Sequence, residues 1–360
     1  MIFLLTVFYL QFFMARKMKS MERDFWFNLN EAGTPGVSQN TAFIDLGQVA
    51  SLANRVSLRQ GMEYVVESIE LHCNGKAQAA IYRLPEDWAC LNAWEKTFHA
   101  WKDQQQDAAR EAGLQSTEAR YNDFKIHMNA LHKSTGFANN LLPVGYDIAL
   151  AATQYEWAAS AVVVPNDGGV AGNTVEYNVH MLGEDSASKG MVKAYGQSRA
   201  RPFAADPNVV DVPAGGLFGE MIDVGEIQED VITNLQDSNN NPPYVIANQT
   251  GEEYYPGGEN QANQPWNTAG FTFNGQLEDI LSVNAGYAVL PASRFGVQSD
   301  SMGAFVAPCG LLAVNYYAEG LTDTSSQPFE DGYFPSLLLR VTLAPGSYKG
   351  LLAQSMQEAN

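Results

Sequence analysis

The chain has 360 residues and a formal net charge of −19, and it is rich in Gly and Tyr. It is long enough to bury a sizeable core, and this composition favours a loop-rich β protein over a helical bundle or a disordered chain. Nucleic-acid-binding surfaces are normally basic, whereas residues 202–293 contain no Lys or Arg. The composition therefore argues against strong nucleic-acid binding and leaves only weak or indirect contact with a genome.

The first 14 residues are apolar apart from Thr6 and Gln11. A membrane-spanning helix needs about 20 such residues, and a secretory signal has its basic residues before the apolar run, not after it. We interpret residues 1–20 as an apolar leader of doubtful status, favouring an upstream extension that the mature protein lacks. A weak membrane anchor and a signal peptide remain open alternatives, and a membrane partner is not expected.

Strands are predicted first at residues 41–49, Met62–Cys73 and Ala77–Arg83. Apolar and β-branched residues alternate there with polar ones, as they do in half-buried strands. Asn74 and Gly75 form a dipeptide typical of tight turns, which predicts a hairpin between the last two strands.

A two-helix insertion is predicted at residues 85–133. Helical spacing relates two sets of residues: Leu91, Trp94, Phe98 and Trp101, then Tyr121, Phe124, Met128 and Leu131. Pro85 suits a helix start, while Gly113 and Ser116 indicate a stop and a new cap. We name Trp94, Phe98 and Trp101 the aromatic stripe. Such stripes usually pack against a core or a second subunit instead of a ligand, and the sequence does not choose between those two.

Further strands are predicted after the helices, with long and uneven connections. They lie at residues 154–164, 174–182, 270–273, 285–290, 311–318 and 336–343, and residues 183–265 read as an acidic, loop-rich insertion. Eight or nine strands without a βαβ rhythm predict an all-β fold, an antiparallel jelly-roll sandwich. We expect residues 21–360 to form a single jelly-roll domain.

Motifs of catalysis are nearly absent from the sequence. Residues 196–200 (GQSRA) only partly match a nucleophile elbow. A zinc set of His72, Cys73, Cys90 and His99 fits no standard spacing, and adjacent strand residues point to opposite faces. The three cysteines are too few and too scattered for a disulfide framework. We therefore predict no catalytic or cofactor-binding residues and no enzyme, and the sequence leaves metal ligands undetermined.

The acidic loops carry two further alternatives. Oxygen ligands suited to calcium occur at Asp237, Asn239, Asn240, Asn241, Glu252, Glu253 and Glu259. A solvated acidic surface explains the same residues, and we favour it. Aromatic residues suited to stacking on sugars occur at Tyr244, Tyr254, Tyr255 and Trp266. They support a carbohydrate- or receptor-binding β-sandwich, such as an attachment protein, as the alternative function.

Residues 54–132 resemble putative capsid proteins of small circular single-stranded DNA viruses from marine and environmental samples. The resemblance rests on RLPEDW, NAWEKTFHAWKDQQ and ARYNDFKIHM, together with APCGLL at residues 307–312 and the strand near its end, Leu337–Leu343. It implies a jelly-roll subunit of a virion that assembles with itself into an icosahedral shell around the genome, with a host receptor as a further partner. Many such proteins carry a basic N-terminal arm, which this chain lacks.

The calcium alternative makes a direct prediction. If the acidic loops hold calcium, the melting temperature rises in millimolar calcium chloride and falls again with a chelator, because a ligand that binds only the folded state stabilises it. A solvated acidic surface leaves the melting temperature unchanged by either addition, and that is the outcome we expect in differential scanning fluorimetry.

Overall fold

A computed structural model describes residues 20–29, 40–73, 76–113, 123–145, 157–164, 175–183, 187–198, 217–218, 283–291, 297–318 and 337–358. Its strands are β1 (Asp24–Asn28), β2 (Asn40–Asp45), β3 (Met62–Cys73), β4 (Ala77–Arg83), β5 (Ala161–Val164), β6 (Val175–His180), β7 (Lys189–Gly190), β8 (Val283–Leu290), β9 (Gln298–Met302), β10 (Phe305–Ala307), β11 (Leu311–Ala318), β12 (Leu337–Leu343), β13 (Pro345–Gly346), β14 (Gly350–Leu351) and β15 (Ala353–Ser355). The helices are α1 (Leu46–Asn54), α2 (Trp88–Glu111), α3 (Ala130–Thr135) and α4 (Met191–Ser198). The β-rich, mainly antiparallel class expected from the sequence is confirmed.

Two antiparallel sheets form the body of the protein. In the first sheet β12 lies between β1 and β3, and the far side of β3 pairs with β9 and then β10. In the second sheet the order is β2-β11-β4-β8. We call them the first and second sheets. Most strand pairs therefore join segments that are far apart in the chain.

The first core fills the space between these sheets. β12 shows why: Leu337, Leu339, Val341 and Leu343 are buried, while the residues between them are only partly buried. This alternation places one apolar face of the strand against the core. The opposing side chains come from both sheets and include Phe25, Phe27, Ile44, Tyr64, Ile69, Leu71, Ile81, Leu312, Val314 and Tyr316.

The second sheet is also apolar on its outer face, where Phe43, Tyr82, Leu311 and Ala313 are buried. The insertion between β4 and β8 covers this face with α2, α3, α4 and the small sheet β5-β6-β7. Side chains of the insertion and of the second sheet form one apolar cluster, which we call the second core. This insertion is thus part of the packed structure, and it is longer than the two-helix insertion expected at residues 85–133.

The hairpin predicted between β3 and β4 is wrong. β3 pairs with strands of the first sheet and β4 with strands of the second, so the connection passes from one layer to the other. Asn74 and Gly75 themselves lie outside the described residues. A turn dipeptide favours a local change of direction, but long-range pairing decides which sheet the next strand joins.

The second predicted helix is also wrong over residues 123–129, which are not helical. Phe124, Ile126 and Met128 are buried in the second core at every second position, as in a strand. Phe124 and Met128 are therefore four residues apart, and this separation alone resembled one face of a helix. The backbone N–H of His127 donates to the carbonyl of Val179 at 3.1 Å. This segment is therefore extended and forms backbone hydrogen bonds with β6 and the residues after it. Helical structure begins only at α3.

Other boundaries differ more modestly. The strand expected at residues 41–49 ends at Asp45, which caps α1, and α2 begins after Asp87 instead of at Pro85. Of the strand expected at residues 154–164, only 157–164 are described, and the strand within them is β5. The region expected as loop at 183–265 contains β7 and α4. The strands expected at 174–182, 285–290, 311–318 and 336–343 correspond to β6, β8, β11 and β12. Residues 1–19 and the strand expected at 270–273 lie outside the described ranges.

Close packing between Gly61, just before β3, and Trp94 of α2 gives a stability prediction. A Cβ at Gly61 would meet Cζ2 of Trp94 at a distance that real Cβ atoms essentially never show. We expect Gly61→Ala to lower the free energy of unfolding by about 1–3 kcal/mol through overpacking, measured by urea denaturation. The matched control is Gly303→Ala, where a Cβ would meet nothing within 4 Å, with an expected change within about 0.5 kcal/mol. Equal effects of the two substitutions would contradict the packing.

Candidate functional site

The four residues of the imagined zinc set do not lie together. His72 is on the outer face of the first sheet, 3.3 Å from Glu70, whereas Cys73 is in the first core. Cys90 is in the second core and His99 is exposed on α2. Within the described ranges, no three His, Cys, Asp or Glu side chains form a group that could hold a metal ion.

The other candidate ligands fall on parts of the chain that the structure does not describe. These are Asp237, Asn239, Asn240, Asn241, Glu252, Glu253 and Glu259 for calcium, and Tyr244, Tyr254, Tyr255 and Trp266 for sugars. Residues 196–198 belong to α4, while 199–200 lie outside the described ranges. The calcium and sugar hypotheses therefore remain predictions.

The aromatic stripe packs inside the chain. Trp94 and Phe98 are buried and stack with ring centroids 5.0 Å apart. Phe124 meets Trp94 edge-on at 5.9 Å and lies 5.3 Å from Trp101. Between the two packing alternatives left open by the sequence, the stripe serves the chain's own second core.

The outer face of the first sheet carries a partly exposed group of polar and aromatic side chains, which we call the open face. It consists of Asp24, Trp26, Glu70, His72 and Arg340. The Arg340 guanidinium lies 2.9 Å from Asp24 and 3.3 Å from Glu70, and it stands over the Trp26 ring, 5.6 Å from its centroid. The Trp26 side chain is 39% exposed. This face offers an indole ring and hydrogen-bonding groups to a partner.

The sequence reading missed the open face because it did not identify β1. The signal was short but present: in residues 24–28 (DFWFN), the two phenylalanines alternate with polar residues and Trp26. A hydrogen bond from Thr342 is the main cause that lowers the pKa of Asp24, with Arg340 adding to it. Arg340 therefore partly balances the two carboxylates of this face.

A buried polar group joins the insertion to the two sheets, and we call it the junction. At its centre Asp45 ends β2 and caps α1, with Oδ1 accepting from the N–H of Gln48 at 3.1 Å. Its Oδ2 accepts from Gln60 Nε2 at 2.8 Å and from Trp157 Nε1 at 3.0 Å. Burial raises the pKa of Asp45 to about 6, although these hydrogen bonds oppose the rise. The carboxyl group thus orders three separate segments.

Gln60 extends the junction to the insertion, because its side-chain amide bonds to the backbone of Ile126 as a neighbouring strand would. Its amide oxygen accepts from the N–H of Ile126 at 2.6 Å, and its amide nitrogen donates to the carbonyl of Ile126 at 3.0 Å. One side chain therefore satisfies both backbone groups of a buried residue, which would otherwise carry a large desolvation cost.

A second arm of the junction runs from α1 to α3. Gln48 Oε1 accepts from Asn140 Nδ2 at 2.9 Å, and Asn140 Oδ1 lies 2.8 Å from His132 Nε2. His132 Nδ1 accepts from the N–H of Met128 at 3.0 Å. These hydrogen bonds join β2, α1 and Gln60 to residues 126–140 of the insertion. The junction therefore fastens the insertion to the sheets.

Among the helices that the structure describes, none combines the length and the apolar character needed to cross a bilayer.

Removing Gln60 tests the energetic role of the junction. We expect Gln60→Ala to lower the free energy of unfolding by at least about 2 kcal/mol, because buried groups of Asp45 and Ile126 lose hydrogen bonds worth about 1 kcal/mol each. The control is the same substitution at Gln78, whose side chain is exposed and accepts from Tyr287, with an expected change within about 0.5 kcal/mol. Urea unfolding of both variants gives the comparison, and equal losses would refute the role.

Comparison with known proteins gives no relative on which to base a function. No protein-family model, no curated protein and no solved structure matches this chain. Its function must therefore be argued from strand order, surfaces and buried groups.

Proposed function

We propose that this protein is a jelly-roll capsid subunit whose activity is to assemble with copies of itself into a closed shell. The observation that supports the proposal is the strand order. Counting β9 and β10 as one strand along β3 and leaving aside the short strand β15, which also pairs with β3, the two sheets contain eight strands: β1, β2, β3, β4, β8, β9/β10, β11 and β12. The first pairs with the eighth, the second with the seventh, the third with the sixth and the fourth with the fifth.

This pairing is that of one long antiparallel hairpin rolled into two layers. Rolling adds the pairs β3–β12 and β4–β11, which complete the two four-stranded sheets. Jelly rolls of eight strands occur in viral capsid and lectin domains and in cupins. The strand order thus agrees with the capsid resemblance of the sequence, which rests on different residues.

The interior of the sandwich favours a structural role over that of a ligand-holding barrel. Large side chains such as Phe25, Phe27, Tyr64 and Tyr316 fill the space between the sheets, each at most 1% exposed. Because the interior is occupied by the protein's own side chains, partners are expected to bind at its surfaces. The second sheet has much of its outer face covered by the insertion, whereas the first sheet presents the open face.

The proposed shell would enclose a genome without strong direct neutralisation by this chain. The net charge of −19 disfavours phosphate contacts. The proposal therefore places the protein in the virion with other copies of itself as its main partner, with weak or indirect nucleic-acid contact and a host receptor as a further partner.

A carbohydrate- or receptor-binding sandwich is the second candidate. The specific observation that favours it is the exposed indole of Trp26 beside Arg340 on the open face, since exposed aromatic rings with polar neighbours suit sugar stacking. The strand order does not separate this candidate from a capsid, because lectin domains share it.

Assembly is the decisive measurement. We expect the chain, expressed from Met1 and from Met21, to form closed particles of uniform diameter in electron microscopy across a screen of salt, pH and calcium. Trp26→Ala should leave particle formation unchanged. A stable monomer or trimer under every condition would contradict the proposal, and glycan binding that Trp26→Ala abolishes would then support the attachment protein.

A further inference from the structure

Three of the five histidines lie together in the insertion, and we call them the histidine cluster. His127 belongs to the extended segment before α3, His132 to α3 and His180 to the end of β6. The rings of His127 and His132 are perpendicular, with centroids 5.1 Å apart, and His127 forms a parallel β-bridge with His180. All three side chains are at least 96% buried. The extended segment before α3, α3 itself and the end of β6 therefore come together at the histidine cluster.

The hydrogen bonds of the cluster require a neutral His132. Because Nδ1 of His132 accepts from the backbone N–H of Met128, its proton lies on Nε2 and is donated to Asn140 Oδ1. A second proton on Nδ1 would place two donors against each other. His180 Nδ1 lies 2.7 Å from the hydroxyl of Ser188, so this ring is also held in place.

The surroundings offer no compensation for positive charge. Phe137 stacks on His127 at 4.4 Å and Phe43 of β2 stacks on His132 at 4.5 Å. The charged groups that act on His127 are His132, His180 and Lys133, all of them cationic when protonated. His127 Nδ1 is buried with no hydrogen-bond partner. At neutral pH the groups against His132 are the uncharged ring of His127, aromatic rings and the Asn140 amide, and Asp45 is occupied by the junction.

We infer that the histidine cluster is an acid-sensitive switch, in which protonation separates the insertion from the second sheet and exposes the apolar outer face of that sheet. The contact that breaks is the one between the stacked rings of Phe43 and His132, together with the chain of hydrogen bonds from His132 through Asn140 to α1. The stimulus is the proton alone. The switch goes beyond the proposed function and does not depend on it.

The direction of the pH effect follows from burial. Desolvation lowers the pKa of His127 from 6.5 to about 3 and that of His132 to about 4. The unfolded or separated segment therefore binds protons more readily, so the packed state keeps its stability above pH 6.5 and loses it as the pH falls towards 4. Asp45 acts in the opposite sense, because its raised pKa makes the packed state bind a proton first between about pH 6 and 3.8. The single carboxyl group of Asp45 favours the packed state in acid, whereas the two imidazoles favour the separated state. The net effect of acid is therefore separation.

The experiment follows exposure of apolar surface with an environment-sensitive dye, using the whole chain between pH 7.5 and 4. We expect the wild type to bind the dye reversibly below a midpoint in this range while the far-ultraviolet circular dichroism of the strands persists. In the double variant His127→Phe/His132→Gln both titrating rings are gone. The first change keeps an aromatic ring against Phe137, and the second keeps a neutral donor and a neutral acceptor but loses the stack on Phe43. The midpoint of this variant should fall by about one pH unit or more.

The matched control is His99→Gln, which removes an exposed imidazole on α2 and should leave the midpoint unchanged. If the double variant does not fold, proton NMR titration of the wild type replaces it, with ring pKa values well below 6.5 expected for His127 and His132 up to the point of release. No dye binding down to pH 4, an unshifted midpoint in a folded double variant, or ordinary pKa values in both rings would each overturn the inference.

Discussion

The structure depends on the second sheet being apolar on both faces. Its inner face closes the first core, and its outer face, at Phe43, Tyr82, Leu311 and Ala313, is buried by the insertion. Burying apolar area stabilises a protein by roughly 25 cal/mol per Å², so an uncovered face of this kind would favour aggregation. The long insertion between β4 and β8 is therefore a necessary layer of the fold.

Irregular chain that covers a sheet has buried backbone N–H and C=O groups, and these groups need hydrogen-bond partners. The junction meets this need with side chains: the amide of Gln60 replaces a strand for Ile126, and Asp45 orders β2, α1 and Trp157 together. In the histidine cluster, the neutral imidazole of His132 meets it for the backbone N–H of Met128. The same polar contacts that satisfy the buried backbone groups of the insertion at neutral pH thereby make its attachment to the second sheet sensitive to acid.

Local patterns in the sequence predicted the longer strands but missed β1, β9 and β10, and they did not show which strands pair. The alternation of β12 and the turn dipeptide after β3 are short-range signals, whereas the assignment of β3 and β4 to different sheets depends on partners from the C-terminal part of the chain. Asp45 followed by Gln48 has the spacing of a helix cap, which could have revealed α1. The histidine cluster had no such signal, because His180 lies far along the chain from His127 and His132.

At neutral pH the insertion and the sheets form one packed unit. Native-state hydrogen exchange at pH 7 can show this by comparing the backbone amides of β11 with those of His127 and of the first half of α2. We expect equal opening free energies, because the second core cannot separate without exposing the second sheet. Amides of the insertion that exchange through a much less costly opening, while β11 stays fully protected, would contradict it.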